Sequence, residues 1–345
     1  MTTGHPVRDA FRQQATACAA LGSPLMGRLM AGLADRLQPG NPVSDQVLGW
    51  QGDPSTRADS VPLRLAGGFH ALILTGADPQ LAAAYADPTA DITGAAMAAI
   101  DRHPDFLLDW LKSPPQTNEV RRSAVLIAAA HWLTARVGLP LVLSELGASA
   151  GLNLLWDNYG LQVEGKRFGP DTPALSLSPD WTGNRPPNVL PQVIGRAGVD
   201  LNPLDAQADR LRLLAYLWAD QPDRLTRTGA ALDLALQMRP TVDRGDAAEW
   251  LERRLQTSHP GALHLVFHTV AWQYFPPETA TRALAALSGA GANATPDAPL
   301  ARLGMEADSD TRGAALTLTL WPGGTVIPLG RADFHGRWVD WTAPA

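Results

Sequence analysis

Cysteine and long apolar runs are the features that this sequence most clearly lacks. Its 345 residues include a single cysteine, Cys18, which excludes an internal disulfide and any cysteine-rich metal site. No run of about 18 apolar residues occurs, as a membrane-spanning helix would require. The opening residues, MTTGHPVRDAFRQQ, carry charges where a signal peptide has its apolar run. We therefore expect a cytoplasmic protein that does not contact a membrane.

An excess of positive charge is also missing. The formal net charge is -6, and no stripe of lysine and arginine is interleaved with aromatic residues, so a nucleic-acid partner is not expected. No pair of histidines has the spacing of metal ligands with a carboxylate nearby, and we predict no metal. The composition is 45% hydrophobic, typical of a globular protein with a sizeable core. A small molecule is the expected substrate.

Residues 1–138 show the pattern of helices. Within GSPLMGRLMAGLADRLQPG, leucine recurs every fourth residue between a Ser-Pro start and a Pro-Gly stop. A second apolar stripe runs from Asn118 to Arg136, and Gly138 supplies its C-cap. No alternation typical of strands precedes Leu139. We predict an all-helical N-terminal region.

Residues 139–345 change period and predict an α/β domain. Short apolar runs such as LPLVLSEL, ALHLVFHTV and AALTLTLW alternate with helical stretches such as ADRLRLLAYLW, which is typical of a mostly parallel sheet. A Pro-rich segment near 165–192 predicts an insertion, and SGAGANATPDAP at 288–299 predicts a loop.

The stretch SELGASAGLN fits two kinds of site. Gly147 to Gly151 spells G-x-S-x-G, the nucleophile elbow of serine hydrolases. The same residues fit a glycine turn that lets backbone and a following helix approach a nucleotide cofactor. Glu145, at the strand end, occupies the position that orients the cofactor's amino acid moiety in methyltransferase-type Rossmann folds, whereas the elbow has no role for it. We favour a cofactor turn formed by Gly147, Ala148, Ser149, Gly151 and Asn153.

The hydrolase alternative requires an oxyanion loop, an acid and a base. LAGGFH at 65–70 is the nearest match to the loop. Ser149, Asp246 and either His268 or His335 supply a triad in the chain order of an α/β-hydrolase. For His335 we favour a structural turn.

Acids farther along the chain suit the cofactor hypothesis. Asp200, in GVDLNPLD, ends a predicted second strand, where a carboxylate accepts hydrogen bonds from a ribose diol. Glu164 competes for that role, but the Pro-rich insertion explains the extra length before Asp200. Asp246 and Ala247 follow a predicted third strand, at the adenine position, although Asp246 is equally a helix N-cap.

Five motifs in combination resemble a known family. ELGASAGLNL, QTNEVRRSA, GVDLNPLD, FHTVAWQY and ADFHGRWVDW are similar to the bacterial family called domain of unknown function 2332, which is allied by fold to S-adenosylmethionine-dependent methyltransferases. The resemblance covers nearly the whole chain. It implies a helical N-terminal region followed by a methyltransferase-like Rossmann domain, with S-adenosylmethionine as the cofactor. It implies no particular substrate.

Two further segments carry residues suited to chemistry. His268, at the end of a predicted fourth strand, is a candidate general base, with Trp272 as a flat wall and Tyr274 as a hydrogen-bond donor. In PPQTNEVRRSA, four polar side chains are candidates to lie over the cofactor and bind substrate through an arginine, namely Gln116, Asn118, Glu119 and Arg122. The alternative for this segment is a salt-bridged joint between the two halves.

The sequence thus predicts S-adenosylmethionine-dependent methyl transfer to a small molecule. Two alternatives stay open. One is a serine hydrolase that uses Ser149. The other is a methyltransferase-like fold that binds a nucleotide or a partner without catalysis.

Overall fold

The computed structural model of the protein describes residues 5–344, and the chain divides into two compact units. One unit comprises the residues up to 117 together with 208–229, and the other comprises 118–207 together with the residues from 230 onward. The segment that begins at Asn118 therefore belongs to the same unit as the sheet.

The first unit is helical. It contains α1 (Pro6–Ala20), α2 (Pro24–Arg36), α3 (Pro42–Leu48), α4 (Val61–Leu74), α5 (Pro79–Ala86), α6 (Ile92–Arg102), α7 (Pro104–Leu111) and α9 (Arg210–Ala215). Ser23 begins α2 by accepting a hydrogen bond from the Met26 N–H at 3.3 Å. Leu29 and Leu33 of α2 lie in the apolar core, so the four-residue leucine period buries one face of that helix.

The second unit combines a large sheet with helices. Its helices are α8 (Ser123–Val137), α11 (Ala247–Arg254) and α12 (Pro277–Ala292), and α10 (Pro222–Met238) ends in it. Its strands are β1 (Leu141–Leu146), β2 (Gly160–Val163), β3 (Lys166–Phe168), β4 (Ser176–Leu177), β5 (Asp180–Gly183), β6 (Val193–Asp200), β7 (Val242–Arg244), β8 (Leu263–Thr269), β9 (Leu300–Glu306), β10 (Ala314–Trp321), β11 (Thr325–Ala332) and β12 (Trp338–Trp341).

The large sheet is mostly parallel, as the sequence predicts. Its nine strands follow the order β5-β12-β11-β10-β9-β8-β1-β6-β7. The five strands from β9 to β7 are parallel, whereas β9, β10, β11 and β12 pair antiparallel in succession. Every residue of β1 is buried, so both faces of this strand are covered.

The predicted insertion forms strands of its own. β3, β2 and β4 make a separate three-stranded sheet, and β5 pairs with β12 at the edge of the large sheet. The predicted loop at 288–299 is wrong in its first part, because α12 continues to Ala292. A Cβ on Gly291 would lie 2.5 Å from the Trp321 ring, so this glycine serves close packing within a helix.

The segment after β1 also differs from the expected α-helix. Leu152–Asn158 forms a 3₁₀ helix of 7 residues, and β2 begins at Gly160. Among residues 5–344, none of the helices combines the length and the apolar character that crossing a membrane requires.

Candidate functional site

The carboxyl ends of β1, β6 and β8 lie side by side. β1 pairs in parallel with β6 on one side and with β8 on the other. The chain therefore leaves β1 toward β6 and later returns to the opposite side. Such a reversal of strand order creates the crevice in which α/β proteins bind ligands. We call this place the switch-point edge and define it as Glu145–Asn153, Asp200 and Thr269–Trp272.

The glycine turn of the switch-point edge is held by backbone hydrogen bonds to β6 and within the turn itself. Gly147, Ser149 and Gly151 have φ values of 73°, 53° and 71°, in the left-handed region that favours glycine. The Gly147 and Ala148 N–H groups donate to the Val199 carbonyl at 2.9 and 3.0 Å, and the Gly151 N–H donates to the Ala148 carbonyl at 2.7 Å. Most of the turn's donors are thus already used.

Glu145 is the most unusual group at this edge. Only 1% of the residue is exposed, and Oε2 has no hydrogen-bond partner among the described residues. Burial and the nearby charge of Asp200 raise the pKa of the Glu145 carboxyl well above its ordinary value, while Arg122 acts in the opposite direction. A buried polar atom without a partner is costly, and its presence at a strand end marks a candidate ligand contact.

Of the two candidate ribose acids, Asp200 lies at the switch-point edge. Its Oδ2 accepts a hydrogen bond from the Ser149 N–H and its Oδ1 accepts one from the Asn202 N–H, both at 2.8 Å. Glu164 lies in the turn between β2 and β3 and receives a hydrogen bond from Arg185 at 2.8 Å. The structure therefore brings Asp200, and not Glu164, to the glycine turn.

The polar segment before α8 contacts the turn directly. Asn118 accepts a hydrogen bond from the Leu152 N–H at 2.9 Å. Ser123 donates to Asn153 at 2.8 Å. Arg122 donates to the carbonyl groups of Thr269 and Phe334 at 3.0 and 2.8 Å. These hydrogen bonds connect the segment before α8 to the glycine turn, to the end of β8 and to Phe334.

The other two residues predicted from this segment are placed differently. Glu119 is buried, and its Oε1 accepts a hydrogen bond from the Arg121 N–H at 3.1 Å at the start of a short 3₁₀ helix. Gln116 belongs to the helical unit. The substrate-binding roles predicted for this segment stay predictions.

His268 is fully engaged at the end of β8. Its Nδ1 lies 2.8 Å from Glu306 Oε1, and its Nε2 accepts a hydrogen bond from Arg302 Nε at 3.1 Å. Because arginine only donates, Nε2 is unprotonated and Nδ1–H donates to Glu306. Burial lowers the pKa of His268, which keeps the ring neutral. Action as a general base would require the bond to Arg302 to break first.

Glu306 also holds the loop after β8. Its Oε1 accepts the N–H groups of Ala271 and Trp272 at 3.0 and 3.1 Å. Burial alone would raise the pKa of Glu306, but the hydrogen bonds from His268 and from these N–H groups lower it. Trp272 packs beneath the Arg302 guanidinium at 4.1 Å, whereas Tyr274 is 71% exposed. The aromatic residues predicted here therefore do not converge on one point.

Asp246 occupies a helix cap. Its Oδ1 accepts the Ala248 and Glu249 N–H groups, both at 3.0 Å, and its Oδ2 accepts the Thr279 hydroxyl at 2.8 Å. Ala247 is the buried first residue of α11. Of the two interpretations of Asp246, the N-cap is the one that the geometry displays.

The residues of the hydrolase alternative are dispersed. Asp246 and His268 are each held by the other partners described above, so they do not form an acid–base pair. The Nδ1 of His335 lies 4.0 Å from Glu119 Oε2. The LAGGFH segment lies within α4 of the helical unit, where backbone N–H groups are committed to the helix. The oxyanion-loop interpretation of this segment is therefore wrong.

Sequence reasoning missed Ser123, Arg302 and Glu306. Glu306 ends an apolar strand, which is the one local signal that could have identified it. Among the described residues, no group of three or more His, Cys, Asp or Glu side chains is arranged to hold a metal ion.

Comparison with known proteins identifies the family. No curated protein matches the chain. A family model described as "Uncharacterized protein conserved in bacteria (DUF2332)" matches residues 8–341, which is nearly the whole sequence. The chain therefore belongs to the DUF2332 family of bacterial proteins.

Proposed function

We propose that the switch-point edge binds S-adenosylmethionine and that the protein transfers its methyl group to a small-molecule acceptor. The observation that carries this proposal is the Glu145 carboxyl, buried at the end of the central strand with no partner for Oε2. A ligand that brings a donor to this oxygen removes the cost of leaving it unsatisfied. The α-ammonium group of S-adenosylmethionine is such a donor.

The hydrogen bonds of the glycine turn favour this cofactor over a dinucleotide. Pyrophosphate recognition requires backbone N–H groups that face the ligand. Here the N–H groups of Gly147, Ala148 and Ser149 already donate to Val199 and Asp200. S-adenosylmethionine carries no phosphate, so its binding does not require free backbone N–H groups in the turn.

The residues of the switch-point edge divide the work of binding. Glu145 holds the amino end of the cofactor, and Asp200, whose oxygens each keep a free lone-pair direction, accepts the ribose hydroxyls. Asp246 is left out of the cofactor set, because it already accepts three hydrogen bonds as the cap of α11, from two backbone N–H groups and from the Thr279 hydroxyl. When bound, the cofactor supplies an electrophilic methyl group on its sulfonium sulfur. The protein contributes orientation and exclusion of water.

A calorimetric and thermal-unfolding titration tests the proposal. A ligand at about 100 times its dissociation constant adds roughly 2.7 kcal/mol, a shift of several degrees in this size range. We expect S-adenosylmethionine and S-adenosylhomocysteine to shift the wild type and the control Glu164→Gln equally, and Glu145→Gln much less. Absence of any shift in the wild type would remove the basis of the proposal.

Binding without turnover is the second outcome to distinguish. The geometry that favours it is the engagement of His268 by both Glu306 and Arg302, which leaves no ready base. Incubation with methyl-labelled cofactor and pools of small hydroxyl, amine and carboxyl compounds separates the two. Label transfer that Glu145→Gln abolishes supports an enzyme, whereas binding with no transfer supports a ligand-binding protein.

A further inference from the structure

The Glu145 carboxyl has surroundings that do not support a buried negative charge. An ionised carboxylate in a low-dielectric interior requires donors or a countercharge. Oε2 has no hydrogen-bond donor among the described residues. Only a countercharge on a neighbouring side chain could therefore stabilise the ionised form.

The elements beside Glu145 place charges of both signs near its carboxyl. At the end of β6, Asp200 contributes a negative charge, which opposes ionisation. Beside α8, Arg122 contributes a positive charge that favours ionisation, but burial and Asp200 outweigh it. After the 3₁₀ helix, Tyr159 donates its hydroxyl to the Leu152 carbonyl at 2.7 Å.

The remaining neighbours add no countercharge. On β8, the register partner of Glu145 is Phe267, and the next residue, His268, is neutral and held by Glu306. On β6, the register partner is Gly198. On the 3₁₀ helix, Asp157 is paired with Arg196 at 2.6 Å.

We propose that Glu145 is protonated in the ligand-free protein and releases its proton to solvent when a cationic group of the ligand reaches Oε2. This inference rests on the proposed function and adds the regulation of the same site by pH. The balance is simple: the O–H bond of the carboxyl breaks, the proton passes to the buffer, and the carboxylate pairs with the ligand ammonium. Binding and proton release are therefore one linked equilibrium.

Proton release makes the affinity for the ligand depend on pH. Below the pKa of Glu145 in the ligand-free protein, binding must expel one proton, so the association constant rises about tenfold for each pH unit. Above that pKa the carboxyl is already ionised and the dependence disappears. The wild-type affinity therefore climbs as pH rises from the ordinary glutamate range, and Glu145→Gln shows no such climb.

Calorimetry with S-adenosylhomocysteine between about pH 5 and 6.5, well below the pKa of roughly 7.7–8.0 of an α-amino group, measures the linkage. Titration in two buffers of different ionisation heat counts the protons released. We expect close to one for the wild type and none for Glu145→Gln. Asp200→Asn removes the neighbouring negative charge, so the rise of the association constant with pH should occur at lower pH. Binding that is independent of pH, with no proton released, would overturn the inference and leave the proposed function intact.

Infrared spectroscopy tests the inference without a ligand. The wild type at pH 7 should show the C=O band of a protonated buried carboxyl, and Glu145→Gln should lack it. Addition of S-adenosylhomocysteine should bleach the band. A spectrum in which the two proteins agree in this region contradicts the inference even where the cofactor does not bind.

Discussion

Glu145, which is buried, and Glu306, which is partly buried, lie at the carboxyl ends of parallel strands of one sheet, and their surroundings are opposite. Glu306, on β9, accepts hydrogen bonds from His268 and from the backbone of Ala271 and Trp272. Glu145, on β1, has an oxygen with no partner. The pKa of Glu306 is lowered by its donors, whereas burial and Asp200 raise the pKa of Glu145.

This difference is the reason why we propose Glu145, and not Glu306, as a ligand contact. A fully satisfied buried network makes a structure rigid and unique. A buried group that the fold leaves unsatisfied costs stability, and proteins retain such costs at functional sites. On this criterion Glu306 positions the loop after β8, and Glu145 is the residue that we propose as the ligand contact.

The largest expected effect is the loss of Glu306. Glu306→Ala removes the acceptor of His268 and of two backbone N–H groups, so it should lower the free energy of unfolding by about 2–4 kcal/mol at pH 7. Since the pKa of Glu306 is lowered by folding, its stabilisation is present above the ordinary glutamate pKa and is lost as pH falls through the lower folded value. Urea unfolding at neutral and acidic pH measures both.

The control for this prediction is Glu164→Ala. Glu164 is an acid whose partner is Arg185, but it is exposed on the β2–β3 turn, and its loss should cost less than about 1 kcal/mol. Equal losses for the two variants would show that the Glu306 network does not hold the loop.

An intermediate effect is expected where the glycine turn after β1 contacts the loop after β8. A Cβ on Gly147 would lie 2.5 Å from the Ala271 Cβ, and Gly147 has a φ of 73°. Gly147→Ala should therefore cost about 2–3 kcal/mol, of which about 1–2 kcal/mol is the backbone conformation. In an Ala271→Gly background only the conformational part should remain. A double-mutant cycle in which the two changes are additive would contradict the contact.

Sequence periodicity was sufficient for the fold class and not for the local elements. The change from a helical to a strand period at Leu139 correctly predicted an α/β unit with a mostly parallel sheet. The helix expected after the glycine turn is a 3₁₀ helix whose first N–H donates to Asn118, 34 residues earlier. The loop predicted from glycines at 288–299 is helical up to Ala292. Gly291 lies within this helix because only a residue without a side chain fits beside the Trp321 ring.

The candidate site was predictable to a similar extent. Glu145 and Asp200 could be named because strand ends next to a glycine turn share one edge of a parallel sheet. Glu306 could not, because the partner that gives it a role, His268, is 38 residues away. No spacing rule connects the two. The absence of a partner for Glu145 is likewise a property of the packed structure alone.

The smallest effect is the most direct test of the comparison. Glu145→Gln removes a carboxyl that folding forces to stay protonated, so the variant should be more stable than the wild type by about 1 kcal/mol at pH 7. Because the pKa of Glu145 is raised in the folded protein, the wild type loses stability as pH rises from the ordinary glutamate pKa to the folded value, and the advantage of the variant should grow over that range. Urea unfolding from about pH 4 to 8 measures it. An advantage that is constant with pH, or a variant that is less stable throughout, would show that Glu145 is satisfied within the fold in the same way as Glu306.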